Sequence, residues 1–158
     1  MKKLLIVLVL FTSIAALGVA QNAAPAPAMP TPTTPGGLPD TVVNGFKSFL
    51  SSGYGAAMSA WTQNSPLGLQ GSTIAALNNV FLQASNVGGN FVGAEVVRIV
   101  NFSPSSMEVY IMAKYQKSVL YMSFNCYKSA SNPTWIINII NADPDPSKIL
   151  PTNIMGGL

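Results

Sequence analysis

The hydrophobic period of this chain changes at Gly88-Gly89, and that change constrains the fold more than any other feature. Upstream of the pair, apolar residues recur at three- and four-residue spacing. Downstream they form runs rich in Val, Ile, Tyr and Phe, broken by short polar turns. The first spacing belongs to helices that bury one face, the second to strands. Helices first and strands after make an α+β domain, with the helices packed on one face of an antiparallel sheet.

In the helical half, Asp40 is the N-cap candidate for a helix carrying Val42, Val43, Phe46, Phe49 and Leu50, and Gly53 is its stop signal. A short helix over 54–61 follows, and Ser65-Pro66 opens a further turn. Ser72 is the expected cap of a third helix whose face is Ile74, Leu77, Phe81 and Ala84. The strand expectations are 95–102, 107–116, 119–128 and 134–141, with turns at Pro104 and at Ser131-Asn132-Pro133. Connections this short imply antiparallel neighbours. The expected architecture is a curved sheet of four or more antiparallel strands.

The chain also carries an address. Lys2 and Lys3 precede an unbroken apolar run, Leu4 to Phe11, and the stretch ends in Gly18-Val19-Ala20. A positive start, an apolar middle and small residues at the end are the order of a secretory signal, expected over 1–20 and cleaved after Ala20. The run is shorter than the roughly 20 apolar residues a membrane span needs, so no stable membrane anchor is expected once it is removed. The protein is then expected to be secreted or periplasmic. Residues 21–37 hold Pro25, Pro27, Pro30, Pro32 and Pro35 among Ala and Thr, a disordered linker by composition. Residues 38–150 read as one domain and 151–158 as a C-terminal tail.

The formal net charge of +3 falls to +1 when Lys2 and Lys3 leave with the signal. A nearly neutral domain lacks the basic footprint that nucleic-acid binding requires, so no nucleic-acid partner is expected. There is no histidine, which removes Ser/His and Cys/His nucleophilic pairs and most transition-metal sites. No metal and no cofactor are expected. Cys126 is the single cysteine. In an apolar strand its default is a buried, inert thiol, and a reactive or intermolecular thiol is the alternative. The sequon Asn101-Phe102-Ser103 is followed by Pro104 and reads as chance.

Certain words in order carry a resemblance: Phe49-Leu50 to Gly53-Tyr54, Ala57 and Trp61, Ser65-Pro66, Gly93-Ala94-Glu95, Tyr127-Lys128 and Trp135-Ile136-Ile137. Together they resemble the nuclear transport factor 2-like superfamily, the cone-shaped fold of ketosteroid isomerase and scytalone dehydratase, over about 38–150. The closest look is to small exported bacterial domains of that superfamily with no assigned activity. The resemblance implies a pocket between helices and sheet, and frequent pairing through the sheet. It leaves function open, because one scaffold hosts catalytic and non-catalytic members.

Two functional readings follow. The first is an exported non-catalytic domain that binds an apolar ligand or a protein partner of the cell envelope, with a pocket lined by Trp61, Met122, Phe124 and Trp135. Core packing is the competing reading for Trp61. The second is a cofactor-independent isomerase or dehydratase of the ketosteroid-isomerase type, with Glu95 as general base in an apolar pocket and a tyrosine as polariser. A solvated structural carboxylate is the ordinary reading of Glu95. Strict alternation directs Val109, Ile111, Leu120, Met122, Phe124, Trp135 and Ile137 to the helices. It leaves Tyr110, Met112, Tyr121, Tyr127 and Ile140 on the other face, too apolar and aromatic for plain solvent. That face is expected to form a homodimer or an envelope assembly, with a folded-back tail carrying Ile149, Leu150, Ile154 and Met155 as the competing cover.

Overall fold

A computed structural model describes residues 37–155. The signal over 1–20 and all but the last residue of the 21–37 linker lie outside the described residues. Three helices come first: α1 (Asp40–Ser52), α2 (Tyr54–Thr62) and α3 (Gly71–Gly88), with a 3₁₀ turn at Pro66–Leu69. Four strands follow: β1 (Phe91–Ser103), β2 (Ser106–Tyr115), β3 (Val119–Tyr127) and β4 (Ile136–Asp143). They form one antiparallel sheet in the order β1-β2-β3-β4. A 3₁₀ turn at Pro146–Lys148 and a short helix α4 (Thr152–Met155) complete the described chain. The α+β expectation and the antiparallel meander are both present.

Helix starts depart from the expected caps. Pro39, not Asp40, holds the N-cap position of α1, and Asp40 lies in the first turn. A carboxylate there faces the positive end of the helix dipole, which serves the helix as well as a cap does. Gln70 precedes α3, so Ser72 sits inside the helix. Between α1 and α2 the chain reverses at Gly53, whose φ of 81° is a conformation that side-chain-bearing residues avoid. Its N–H closes α1 on the Phe49 carbonyl at 3.0 Å. The turn at Ser65-Pro66 is as expected: Ser65 Oγ accepts from Leu67 N at 3.0 Å, and Pro66 begins the 3₁₀ turn. The same hydroxyl donates to the Ile137 carbonyl on β4, fastening this turn to the edge strand.

The core lies between the helices and one face of the sheet. Val42, Phe46 and Phe49 of α1, Met58 and Trp61 of α2, and Leu77 and Phe81 of α3 meet Val109, Ile111, Leu120, Met122, Phe124, Cys126 and Ile137 from the strands. Trp61 is its centre. Its indole stands edge-on to Phe46 at 5.0 Å and to Phe124 at 5.2 Å, and its Nε1–H donates to the Val42 carbonyl at 3.2 Å. A buried indole needs that partner, because its N–H has left water.

The indole reaches α1 because residue 45 has no side chain. A Cβ on Gly45 would overlap the Trp61 ring. Glycine inside a helix costs about 0.5–1 kcal/mol relative to alanine. Here the seat it leaves for the largest core side chain outweighs that cost.

The strands are bulged. β1 shifts register against β2 between Phe91 and Gly93, between Val96 and Arg98, and between Asn101 and Ser103. β4 shifts against β3 between Asn125 and Cys126, which leaves Asn138 as the extra residue. Each bulge bends its strand and steepens its twist. The bulge at Asn138 also turns Ile140 to the helix side, where it is 3 % exposed, and Ile139 to the outside, where it is 51 % exposed. Strict alternation places Ile140 on the outer face. The bulge overturns that placement.

Gly45→Ala is expected to lower unfolding free energy by about 1–3 kcal/mol, the usual cost of overpacking a well-filled core. Gly55→Ala, in α2 with open space where its Cβ would go, is expected to raise it by up to about 1 kcal/mol through helix propensity. Denaturant unfolding of the two variants checks both signs.

Candidate functional site

Trp61, Met122 and Phe124 have no solvent-exposed surface. Aromatic rings and sulfur fill the space between helices and sheet that the expected pocket would occupy. Trp135 stands apart from them, just before β4, where its carbonyl accepts from Thr41 Oγ1 at 3.2 Å and Lys128 Nζ lies 4.7 Å from its ring centre. It borders a recess of 250 Å³ with Asp40, Thr41, Pro133 and Thr134. The four residues therefore do not surround one opening. Large side chains that would line an empty cavity gain more dispersion energy by closing on each other.

Glu95 lies on the outer face of β1. Its side chain is 61 % exposed, and its carboxylate pairs with Lys114 Nζ at 3.3 Å across the β1–β2 register. Proton abstraction of the ketosteroid-isomerase kind calls for a carboxylate withdrawn from water, and this one stands in it. Glu108, the other strand carboxylate, accepts from Asn125 Nδ2 at 3.2 Å. Among the described residues no three His, Cys, Asp or Glu side chains are grouped closely enough to hold a metal ion.

Cys126 is fully buried in the core, and burial, with a smaller contribution from the Glu108 charge, pushes its thiol up to about 12. A thiol in that state is a poor nucleophile at neutral pH.

The aromatic outer face has a cover. After β4 the chain turns back, and Leu150 and Ile154 pack on Tyr110, with Ile149, Met155, Val97, Val100 and Tyr121 around them. Tyr110 is 8 % exposed as a result, while Tyr127, further along the face, is 40 % exposed. Met112 is half-buried. The turn that sends the tail back is built from polar groups. Asp145 N donates to Asp143 Oδ1 at 2.8 Å, Lys148 Nζ pairs with Asp143 Oδ2 at 3.1 Å, and Asp145 Oδ1 accepts from Ser147 N and Oγ at 2.9 and 2.7 Å. These contacts hold both carboxyls below their ordinary value. For Asp143 the Asp145 N–H is the main cause and the Lys148 ammonium adds to it; for Asp145 the Ser147 hydroxyl leads.

The opening best suited to a ligand lies elsewhere, between α3 and the ends of β3 and β4. Its walls are Val80, Ala84 and Val87 of α3 with Val119, Leu120, Ala142 and Pro144, enclosing 390 Å³. Val80, Ala84 and Val87 are spaced by four and three residues, so they form one row along the helix. A second opening of 350 Å³ continues along α3 past Thr73, Ala76 and Leu77, and shares Val80, Ala142, Asp143 and Lys148 with the first. The two make one groove. The Asp143–Lys148 ion pair stands where they join, so the turn that returns the tail also forms the rim.

Periodicity alone does not show this groove, since Ala84 reads as an ordinary core-facing position. The signal in the chain was the pair Ala84 and Ala142, small residues where larger ones would close the space. Among the described residues no helix is long and apolar enough to cross a membrane. No protein-family model, curated protein or solved structure matches the chain.

The raised thiol makes a pH prediction. A group whose folded value lies above its unfolded value of 9.0 adds stability below that value and loses it as pH rises toward about 12. Stability should therefore fall with alkaline pH, less steeply in Cys126→Ala, and iodoacetamide should label Cys126 only after unfolding. The tail carboxyls act in the opposite sense. Their contribution is present above the ordinary value of 3.8 and lost as pH falls through the lower folded value. In nuclear magnetic resonance spectra the methyl signals of Leu150 and Ile154 should move to disordered positions in acid, and at neutral pH in Asp143→Asn.

Proposed function

We propose that this chain is an exported, non-catalytic binding domain that takes a small apolar molecule into the groove between α3 and the ends of β3 and β4. The groove itself carries the reading. A concave space of 390 Å³, apolar on its walls and with an ion pair at its rim, has the size and make-up of small-molecule sites, which run from about 300 to 1,000 Å³. The walls supply the affinity by burying apolar surface, and the Asp143–Lys148 pair with Gln83 orients whatever polar end the ligand has. The enzyme reading has no comparable support, because its one carboxylate is exposed and paired.

The leader over 1–20 and the proline-rich segment behind it support export, and the even balance of charges supports a partner other than nucleic acid. We further read the fold as a divergent form of the nuclear transport factor 2-like cone. Helices first and a bulged meander after are the shared order. In this chain the aromatic core fills the space where the cone would hold its pocket, and the groove at the sheet's edge takes over that role.

Decanol is a suitable neutral probe. Titrated into isotope-labelled protein, it should move the amide signals of Val80, Ala84, Leu120 and Ala142 saturably and leave those of β1 in place. Ala84→Phe, which fills the groove, should abolish the shifts while the melting temperature stays within a few degrees of the parent. An absence of saturable shifts at these four residues would sink the proposal.

A further inference from the structure

From Ser48 to Ala94 no residue carries a charge. That stretch contains α2, the 3₁₀ turn and all of α3, so the outer surface of the helical layer there is neutral. Every charged side chain of the described residues lies on α1, on the strands and the loops between them, or on the tail. Depletion of charged residues is one mark of the centre of protein interfaces.

On α3, residues Ser72, Ala75, Ala76, Asn79, Leu82, Gln83 and Asn86 are all exposed. They follow one another at three- and four-residue spacing, so they share a face turned away from the sheet. Asn79 lies at the middle of a helix that runs from Gly71 to Gly88.

We propose that this face of α3 packs antiparallel against the same face of a second copy of the chain, with the two-fold axis at Asn79. An axis there sets Ser72 opposite Asn86, Ala75 opposite Gln83, and Ala76 opposite Leu82. In each pair a small side chain from the first half of the helix meets a larger one from the second half. The face is its own complement in shape. Leu82, which is 45 % exposed, finds over the partner's alanine the space that a larger residue would deny it.

Chemistry selects a second copy over an unrelated partner. On a two-fold axis a side chain meets itself, and a charge that meets itself is repelled. An amide carries both donor and acceptor, so Asn79 can pair with its own symmetry mate. The outer face of the sheet lacks this property: Glu95, Arg98, Glu108 and Lys114 stand on its strands, and the returning tail covers Tyr110. The α3 face adjoins the ligand groove along one edge, where Ala76 and Gln83 border both, while Val80 and Ala84 wall the groove alone.

Eighteen residues make a helix about 27 Å long. One such face is small beside the roughly 800 Å² per partner of a standard interface, so the dimer is expected to depend on concentration.

Sedimentation equilibrium of the full chain tests the pairing. The wild type should pass from monomer to dimer as concentration rises toward the millimolar range. Asn79→Glu places two carboxylates against each other on the axis and should weaken the dimer by roughly 100-fold or more. Ala75→Glu with Gln83→Lys brings opposite charges together across the axis and should keep the dimer. Ala75→Glu with Gln83→Glu should abolish it. All these positions face solvent in the monomer, so melting temperatures should show the fold intact. A wild type that stays monomeric throughout, an Asn79→Glu variant that sediments as the wild type does, or two double variants that behave alike would each overturn the proposal.

Discussion

The seat of the Trp61 indole on Gly45 is the contact on which the rest of this structure depends. It brings α2 against α1 closely enough for the indole N–H to reach the Val42 carbonyl. From that position the ring spans to Phe124 on β3 and lies 6.0 Å from Phe81 on α3, so one side chain touches two further helices and the sheet. Close-packed interiors allow little adjustment around so large a group. Among the described residues the same contact fills the space between helices and sheet, where Trp61, Met122 and Phe124 are fully buried.

The rim is shaped by the tail. The turn after β4 is a small polar assembly, with Asp143 accepting from Lys148 and Asp145 from Ser147, and it sends Leu150 and Ile154 over the outer sheet face. One strand end thus does two things. It borders the groove on the helix side and anchors the cover on the other. A face that looks like an interface by composition is thus in large part satisfied within the chain.

Much of the fold was legible along the chain, because helix and strand periods differ and Gly53 and Gly88-Gly89 mark the breaks between elements. The buried faces of α1 and α3 follow their spacing: Val42, Phe46 and Phe49 on the one, Leu77 and Phe81 on the other. The beginning of β1 at Phe91 was less visible. Gly93 and Ala94 weaken the strand signal there, and the ring of Phe91 stacks on Phe49 at 4.1 Å, a contact distant in sequence. The site was the least legible part. Trp61 reads equally as core or pocket, since both need a large apolar residue facing inward, and only packing tells them apart. Ile140 changed faces because a bulge shifts the alternation by one residue, and the bulge at Asn138 has no glycine to announce it.

By itself the sequence determined the class of the fold, the order of its main elements, and the absence of histidine chemistry. These are properties of local pattern and composition, and neighbouring residues suffice to state them. Tertiary structure decided where the empty space lies, which face the tail covers, and that Glu95 meets Lys114 in water. Each of those depends on residues far apart in the chain coming within a few ångströms. The register shift at Asn138 and the missing side chain at Gly45 set those distances, and neither can be priced until its partner is in place.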